Sequence, residues 1–205
     1  MEGKMAAIIK HNMILLGAAG RNSGKTLLAC NLIKRYAQQF PLIAVKVTTI
    51  HRKGETCPRG GEGCGICASF EGAYCILEEK NGDLQKDTSR LLASGAWKVY
   101  WLRAVKDHLE EGMEALLRLI PEGTAVVCES NSLRTFVEPG VFLIIRTKNQ
   151  KILKPSARAV LKYADRVVTF DGREPGDNPF DISLENIKFA HNRWILEETG
   201  IPSGG

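Results

Sequence analysis

The stretch GAAGRNSGKTLL, Gly17 to Leu28, decides the fold. An apolar run, MILLG at 13–17, leads into it, and an amphipathic run, LLACNLIKRYAQQ at 27–39, leads out. A buried strand, a glycine-rich turn and a helix in that order make a phosphate-binding loop. The backbone N–H groups of the turn and the positive end of the helix converge on one anion. The strict spacing of such loops is G-x-x-x-x-G-K-[ST]. Counting back from Gly24-Lys25-Thr26 puts Ala19 where the first glycine belongs, with Gly20 beside it and Gly17 two residues earlier. Alanine there gives up only the positive-φ option, and Gly17, Gly20 and Gly24 are expected to supply the backbone freedom. Lys25 is expected to reach the β and γ oxygens of a nucleotide, and Thr26 to place a hydroxyl on Mg²⁺. Gly20, Arg21, Asn22, Ser23, Gly24, Lys25, Thr26 and Leu27 are therefore the candidate nucleotide ligands.

Outward from this loop, short apolar runs alternate with amphipathic ones. Met13–Gly17, Leu42–Val47, Val99–Leu102, Ala125–Cys128, Val141–Ile145 and Arg166–Phe170 read as buried strands. Gly24–Gln39, Leu84–Ser94, Val105–Leu119 and Ser156–Tyr163 read as helices. Leu109, Met113, Leu116, Leu117 and Ile120 recur at helical spacing and belong to the core. The alternation predicts an α/β fold, a three-layer Rossmann-like P-loop NTPase with a mostly parallel central sheet. Residues 1–170 form the P-loop NTPase domain. Within them, 48–82 is a long irregular cysteine-rich insertion. The segment 171–205 is a C-terminal extension packed on the same domain, with a short strand at Ile187–Ala190 and a short helix near Trp194.

Bulk properties narrow the function classes. A chain of 205 residues fits one domain. Hydrophobic residues make up 44% and charged residues 25%, as in soluble globular proteins, and the net charge is +5. No run of Lys and Arg is dense enough to argue for nucleic acid, and no apolar segment is long enough to span a membrane. The N-terminal apolar run leads straight into the glycine loop without a cleavage site, so a cytoplasmic protein is expected.

GRNSGKT, then the basic strand VKV, then KDTSRLLASGA, then VVCES, resembles the molybdopterin-guanine dinucleotide biosynthesis protein B family. That family belongs to the same broad P-loop group as dethiobiotin synthetase, nickel-insertion GTPases and nitrogenase iron-protein-like ATPases. The resemblance runs in element order over roughly residues 12–170. It implies a Rossmann-like P-loop fold, nucleotide binding and a homodimer. Lys46 matches the family's lysine at the end of the second strand. Asp87, Thr88 and Arg90, with Ala93, Gly95 and Ala96, match its aspartate–hydroxyl and Ala-Gly-Ala segment. Glu129 stands where the family carries an acidic residue followed by glycine. Here Ser130 follows instead, the basic strand is followed by a single histidine, His51, and a cysteine insertion comes next. These departures fall where a substrate would bind.

Physical reasoning supports the two carboxylates. An acid at the C-terminal end of a central parallel strand lies in the crevice where such sheets bind ligands. There Glu129 is expected to hold Mg²⁺ or orient the attacking water, with Asp87 as second candidate. Asp87 or Thr88 would serve equally well as a helix N-cap. Lys25, Glu129 and Asp87 are the catalytic candidates, and Thr26 and Glu129 the Mg²⁺ candidates.

The segment CPRGGEGCGICASFEGAYC places Cys57, Cys64, Cys67 and Cys75 at C-x6-C-x2-C-x7-C. Four thiolates suit Zn²⁺ or an iron–sulfur cluster, and a C-x-x-C pair grips one centre from one turn. One such pair rather than two leans the spacing toward a [4Fe–4S] cluster, with Zn²⁺ next. A redox pair at Cys64 and Cys67, or unliganded thiols, are the alternatives. Cys30 and Cys128 fall in a helix and a strand and read as core. The run TKNQ at 147–150 is not the guanine-reading N-K-x-D, since the aspartate is missing; Asn149 is still the candidate base contact, and ATP against GTP stays open. Arg146, Lys148, Lys151 and Lys154 form a basic rim beside it.

The sequence therefore predicts a Mg²⁺-dependent ATP- or GTP-hydrolysing enzyme coupled to a cofactor, a metal centre or a redox partner protein. The alternatives are a non-hydrolysing nucleotide- or metal-sensing adaptor and a small-molecule kinase or ligase on the same scaffold.

Overall fold

The computed structural model describes residues 7–50, 72–82, 84–172 and 178–197. Its core is a seven-stranded sheet in the order β3-β4-β2-β5-β1-β6-β7. The strands are β1 (Ile8–Ala18), β2 (Leu42–Ile50), β3 (Tyr74–Glu78), β4 (Lys98–Val105), β5 (Ala125–Glu129), β6 (Val137–Thr147) and β7 (Arg166–Phe170). All neighbours pair in parallel except β3, which runs antiparallel to β4 at the edge. The sheet is buried on both faces, which is why β5 reads AVVCE with every residue buried.

Two apolar clusters sandwich the sheet. On one face, Leu28, Leu32 and Ile33 of α1 (Lys25–Tyr36) and Leu91 of α2 (Asp87–Ala93) pack with Ile14, Leu16, Ala44 and Val127. On the other, Leu109, Met113 and Leu116 of α3 (Leu109–Leu117) pack with Met13, Leu15, Val45 and Cys128. Alternate residues of each strand serve alternate faces, so three layers form around one sheet. The helical spacing of Leu109, Met113 and Leu116 does point into the core.

The chain after β7 returns to the α1 face. Asp181 N donates to Thr169 O at 3.1 Å, and Phe170 bridges to Phe180. An antiparallel hairpin of β8 (Ile187–Ala190) and β9 (Arg193–Leu196) follows. Trp194 is fully buried against Tyr36 and Phe189, and the Tyr36 hydroxyl donates to Ile187 O.

Several expectations are corrected. The segment around Trp194 is a strand, not a helix, because His191 and Asn192 both take left-handed φ (51° and 56°) and close a two-residue hairpin turn. The stretch 48–82 is not irregular at its described ends: β2 continues to Ile50, and Tyr74–Glu78 pairs with β4. Val105 ends β4 rather than opening a helix, and a 3₁₀ turn at Lys106–His108 precedes α3. The helix expected at Ser156–Tyr163 is one turn, α4 (Pro155–Arg158), followed by a 3₁₀ turn at Leu161–Tyr163. There the bonds become three-residue ones, Val160 N to Ala157 O and Tyr163 N to Val160 O, while Val160 is buried in the core.

Candidate functional site

The C-terminal ends of β1, β5, β2 and β6 meet at the turn between β1 and α1. The end of β1 is clamped before the turn begins. Asn131, just past β5, accepts from Ala18 N at 2.7 Å and donates to Ala18 O at 3.0 Å and to Ser156 Oγ at 3.3 Å. Its side-chain amide thus replaces a strand neighbour at the point where β5 stops. Ala19 N donates to Ile145 O at 2.7 Å, and Lys154 N donates to Ala19 O at 2.9 Å. Both sides of the strand exit are fixed, and the next residues are free to curl. Asn131 holds the strand exit that leads into the turn, a role that the sequence alone does not announce.

Inside the turn, Asn22 (φ 51°) and Gly24 (φ 84°) are left-handed. Left-handed residues set among right-handed ones turn successive N–H groups toward one hollow, which is how backbone nests hold anions. Asn tolerates this φ better than most residues, and Gly24 tolerates it freely. Gly24 is the N-cap of α1, no side chain caps that end, and no acid occupies its first turn. The helix therefore presents unspent N–H groups and its positive dipole end.

The expected role of three glycines needs correction. Only Gly24 uses a positive φ. Gly17 is needed for space: a Cβ there would meet Asn131 Oδ1 at 3.0 Å and Phe142 Cε2 at 3.1 Å. Gly20 lies under the Gln150 side-chain amide. Ala19 is fully buried and needs no left-handed φ, so the missing glycine costs the turn nothing.

Glu129 ends β5 with Leu16 and Lys46 beside it in register on the two flanking strands. It is fully buried, and neither carboxylate oxygen has a hydrogen-bond partner. Lys25 Nζ lies 3.6 Å from Glu129 Oε2, longer than a hydrogen bond but close enough to share charge. The Ser23 hydroxyl, in the turn, is also buried without a partner. Buried polar atoms left unpaired are uncommon, and Ser23 in the turn and Glu129 beside Lys25 are groups that a ligand or ion would satisfy.

Asp87 is paired with Lys46. It is not the N-cap of α2 and neither is Thr88: Lys86 holds that position, and its N–H donates to Ser89 Oγ at 3.0 Å. The Thr88 hydroxyl donates to Glu79 Oε2 at 2.7 Å instead. Burial works to raise the Asp87 carboxyl, but the Lys46 hydrogen bond and charge, with Lys25 and Arg90, outweigh it and hold the group below its ordinary value. The lysines and acids thus stand in two pairs, Lys25 with Glu129 and Lys46 with Asp87.

Thr26 and Leu27 are half-buried in the first turn of α1. Asn149 is exposed in the turn after β6, and its neighbour Gln150 packs on Gly20. The Phe170 ring lies under Gly24, where a Cβ would meet it at 2.8 Å. Of the four clustered cysteines, Cys57, Cys64 and Cys67 lie outside the described residues, as does His51. Cys75 sits half-buried on β3, in register with Arg103. Among the described residues, no group of three or more His, Cys, Asp or Glu is placed to hold a metal. Cys30 and Cys128 are buried, and burial pushes both thiols up.

A separate cavity of about 640 Å³ lies at the other end of β6, lined by Gly140, Asp165, Arg166, Arg193, Trp194 and Glu197 among others. Of its polar groups, Asp165 accepts from Phe142 N and Glu197 pairs with Lys188 at 2.7 Å, while the buried Trp194 Nε1 has no hydrogen-bond partner. No described helix is long and apolar enough to cross a membrane. Comparison with protein-family models, with curated proteins and with solved structures returned no match.

Proposed function

We propose that the chain is a Mg²⁺-dependent P-loop nucleoside triphosphatase, of the kind its resemblance to the molybdopterin-guanine dinucleotide biosynthesis protein B family implies. The observation that carries this reading is the turn at 19–24. It joins two left-handed residues to an uncapped helix N-terminus and sets Lys25 beside a buried carboxylate with no hydrogen-bond partner. That constellation suits a polyphosphate and a divalent ion together.

In this reading the turn's N–H groups and Lys25 hold the phosphates, and Lys25 shifts its charge from Glu129 toward the anion. The Thr26 hydroxyl and the Glu129 carboxylate would hold Mg²⁺, which when bound neutralises charge at the phosphoryl oxygens. Glu129 also has an oxygen to spare for orienting water. Lys46 and Asp87 neutralise each other beside the site, so neither adds net charge to it. Asn149 and Gln150 follow β6 at the same end and belong to the base side.

Turnover and binding test the reading. Phosphate release from ATP or GTP that needs Mg²⁺, and that Lys25→Ala and Glu129→Gln both abolish, supports it. Nucleotide binding without release in the wild-type protein refutes hydrolysis and leaves a sensing role. Coupling to a cofactor or metal centre rests on the cysteine spacing alone. Metal and sulfide analysis of protein purified without oxygen tests it: iron with sulfide supports a [4Fe–4S] cluster, zinc alone supports a structural clip, and neither removes the coupling.

A further inference from the structure

Resting on the nucleotide reading above, we infer that Arg21 is the residue that reads the terminal phosphate, making this site selective for triphosphates over diphosphates. Charge balance at this end of the sheet points to it. Two of the cations at this end are already matched within the protein: Lys25 faces Glu129 at 3.6 Å, and Lys46 is paired with Asp87. A phosphate loop whose lysine has a buried counter-charge offers an incoming anion less net positive potential than the lysine alone would.

Arg21 supplies what is missing. It stands inside the turn, between Gly20 and the left-handed Asn22, and it is exposed. Among the described residues none engages it in an ion pair, whereas Lys25 and Lys46 each face a carboxylate. Arg146 and Lys148 are also exposed at this end, but they lie on β6 and the turn after it, outside the anion-binding turn. The unpaired hydroxyl of Ser23, in the same turn, and the unpaired carboxylate of Glu129, beside Lys25, are independent signs of a ligand at this end.

The chemistry of the side chain fits. A guanidinium stays charged at any physiological pH and offers a planar fork that matches two phosphoryl oxygens at once. The group it recognises is the one with the extra charge, the terminal phosphoryl of a nucleoside triphosphate. An arginine supplied in cis to that group is a known way of stabilising charge as it is transferred.

The test is equilibrium binding of ATP, ADP, GTP and GDP, each with Mg²⁺, to the full chain and to Arg21→Ala, Arg21→Lys and Lys25→Ala. The expected result is that Arg21→Ala weakens the triphosphates about ten- to a hundredfold and leaves the diphosphates unchanged. Arg21→Lys should recover part of the loss, because it keeps the charge and forfeits the fork. Lys25→Ala should weaken both classes. Arg21 is exposed and has no partner among the described residues, so circular dichroism should show every Arg21 variant folded. Equal weakening of both classes by Arg21→Ala, or no weakening, overturns the inference and leaves the nucleotide site standing. A wild-type protein that binds nucleotides but does not separate tri- from diphosphates also overturns it. A wild-type protein that binds no nucleotide overturns the underlying reading, and this inference falls with it.

Discussion

Replacing Asn131 by alanine should cost this protein a large part of its stability, although the residue lies in a connection after a strand. Its amide both accepts from and donates to one residue, Ala18, at 2.7 and 3.0 Å. Ala18 is 4% exposed, so water does not replace those partners easily. Each buried backbone group left unpaired costs about 1–3 kcal/mol, which puts the loss at about 2–6 kcal/mol. A domain of ordinary stability has about 5–15 kcal/mol in all. At about 2–4 °C for each kcal/mol in a chain of this size, melting should fall by about 4–24 °C. Ser156→Ala is the control, because it removes only the 3.3 Å bond to the same amide and should cost no more than about 1 kcal/mol. Urea unfolding followed by circular dichroism measures both variants, and an unchanged m-value licenses the comparison. If the two variants unfold within about 0.5 kcal/mol of each other, the clamp on Ala18 contributes nothing, and the account of how the turn is held is wrong.

Further outcomes follow from single contacts. Gly24→Ala should destabilise the fold by about 2–4 kcal/mol, from the left-handed φ of 84° together with the Phe170 ring at 2.8 Å, and urea unfolding reads it. Pairing Gly24→Ala with Phe170→Leu should recover the steric part and leave the backbone part. Asp87 is held below its ordinary value, so its pairing with Lys46 contributes stability above the unfolded value of 3.8 and loses it as pH falls through the lowered folded value. The stability gap between wild type and Asp87→Asn should therefore be open at neutral pH and close in the acid range below 3.8; a gap that persists there would show that the effect is not ionic. A thiol reagent applied to the native protein should spare Cys30 and Cys128, whose thiols burial pushes up, and mass spectrometry of the digest checks this.

How much of this was legible in the sequence depended on local signal strength. MILLG before the turn and AVVC before Glu129 are apolar runs too short for helices, and they became central parallel strands. GKT fixed where α1 begins, within one residue. β3 was hidden, because YCILE is five residues long, sits directly after the cysteine segment, and pairs only at the sheet edge. β9 was misread because its hairpin turns on His-Asn rather than on an Asn-Gly pair, so no turn signature announced it. At the site, Lys25 was named from the loop spacing and Glu129 from the family resemblance and its place at a strand end, and the structure does bring them together. The partner of Asp87 could not be read from propensity, since Asp at a helix start has an equally good local use as a cap. Asn131 carries no motif at all. Its role exists only because β5 ends one strand away from Ala18, a relation between residues 113 positions apart.

The most direct test of the central claim is calorimetric titration of ATP and of GTP, with Mg²⁺, into the purified chain and into Lys25→Ala. Saturable binding of at least one of them to the wild type is expected, with its loss in a variant that circular dichroism shows to be folded. A wild-type protein that binds neither at millimolar concentration would contradict it, and the turn at 19–24 would then be a structural link between β1 and α1 and nothing more.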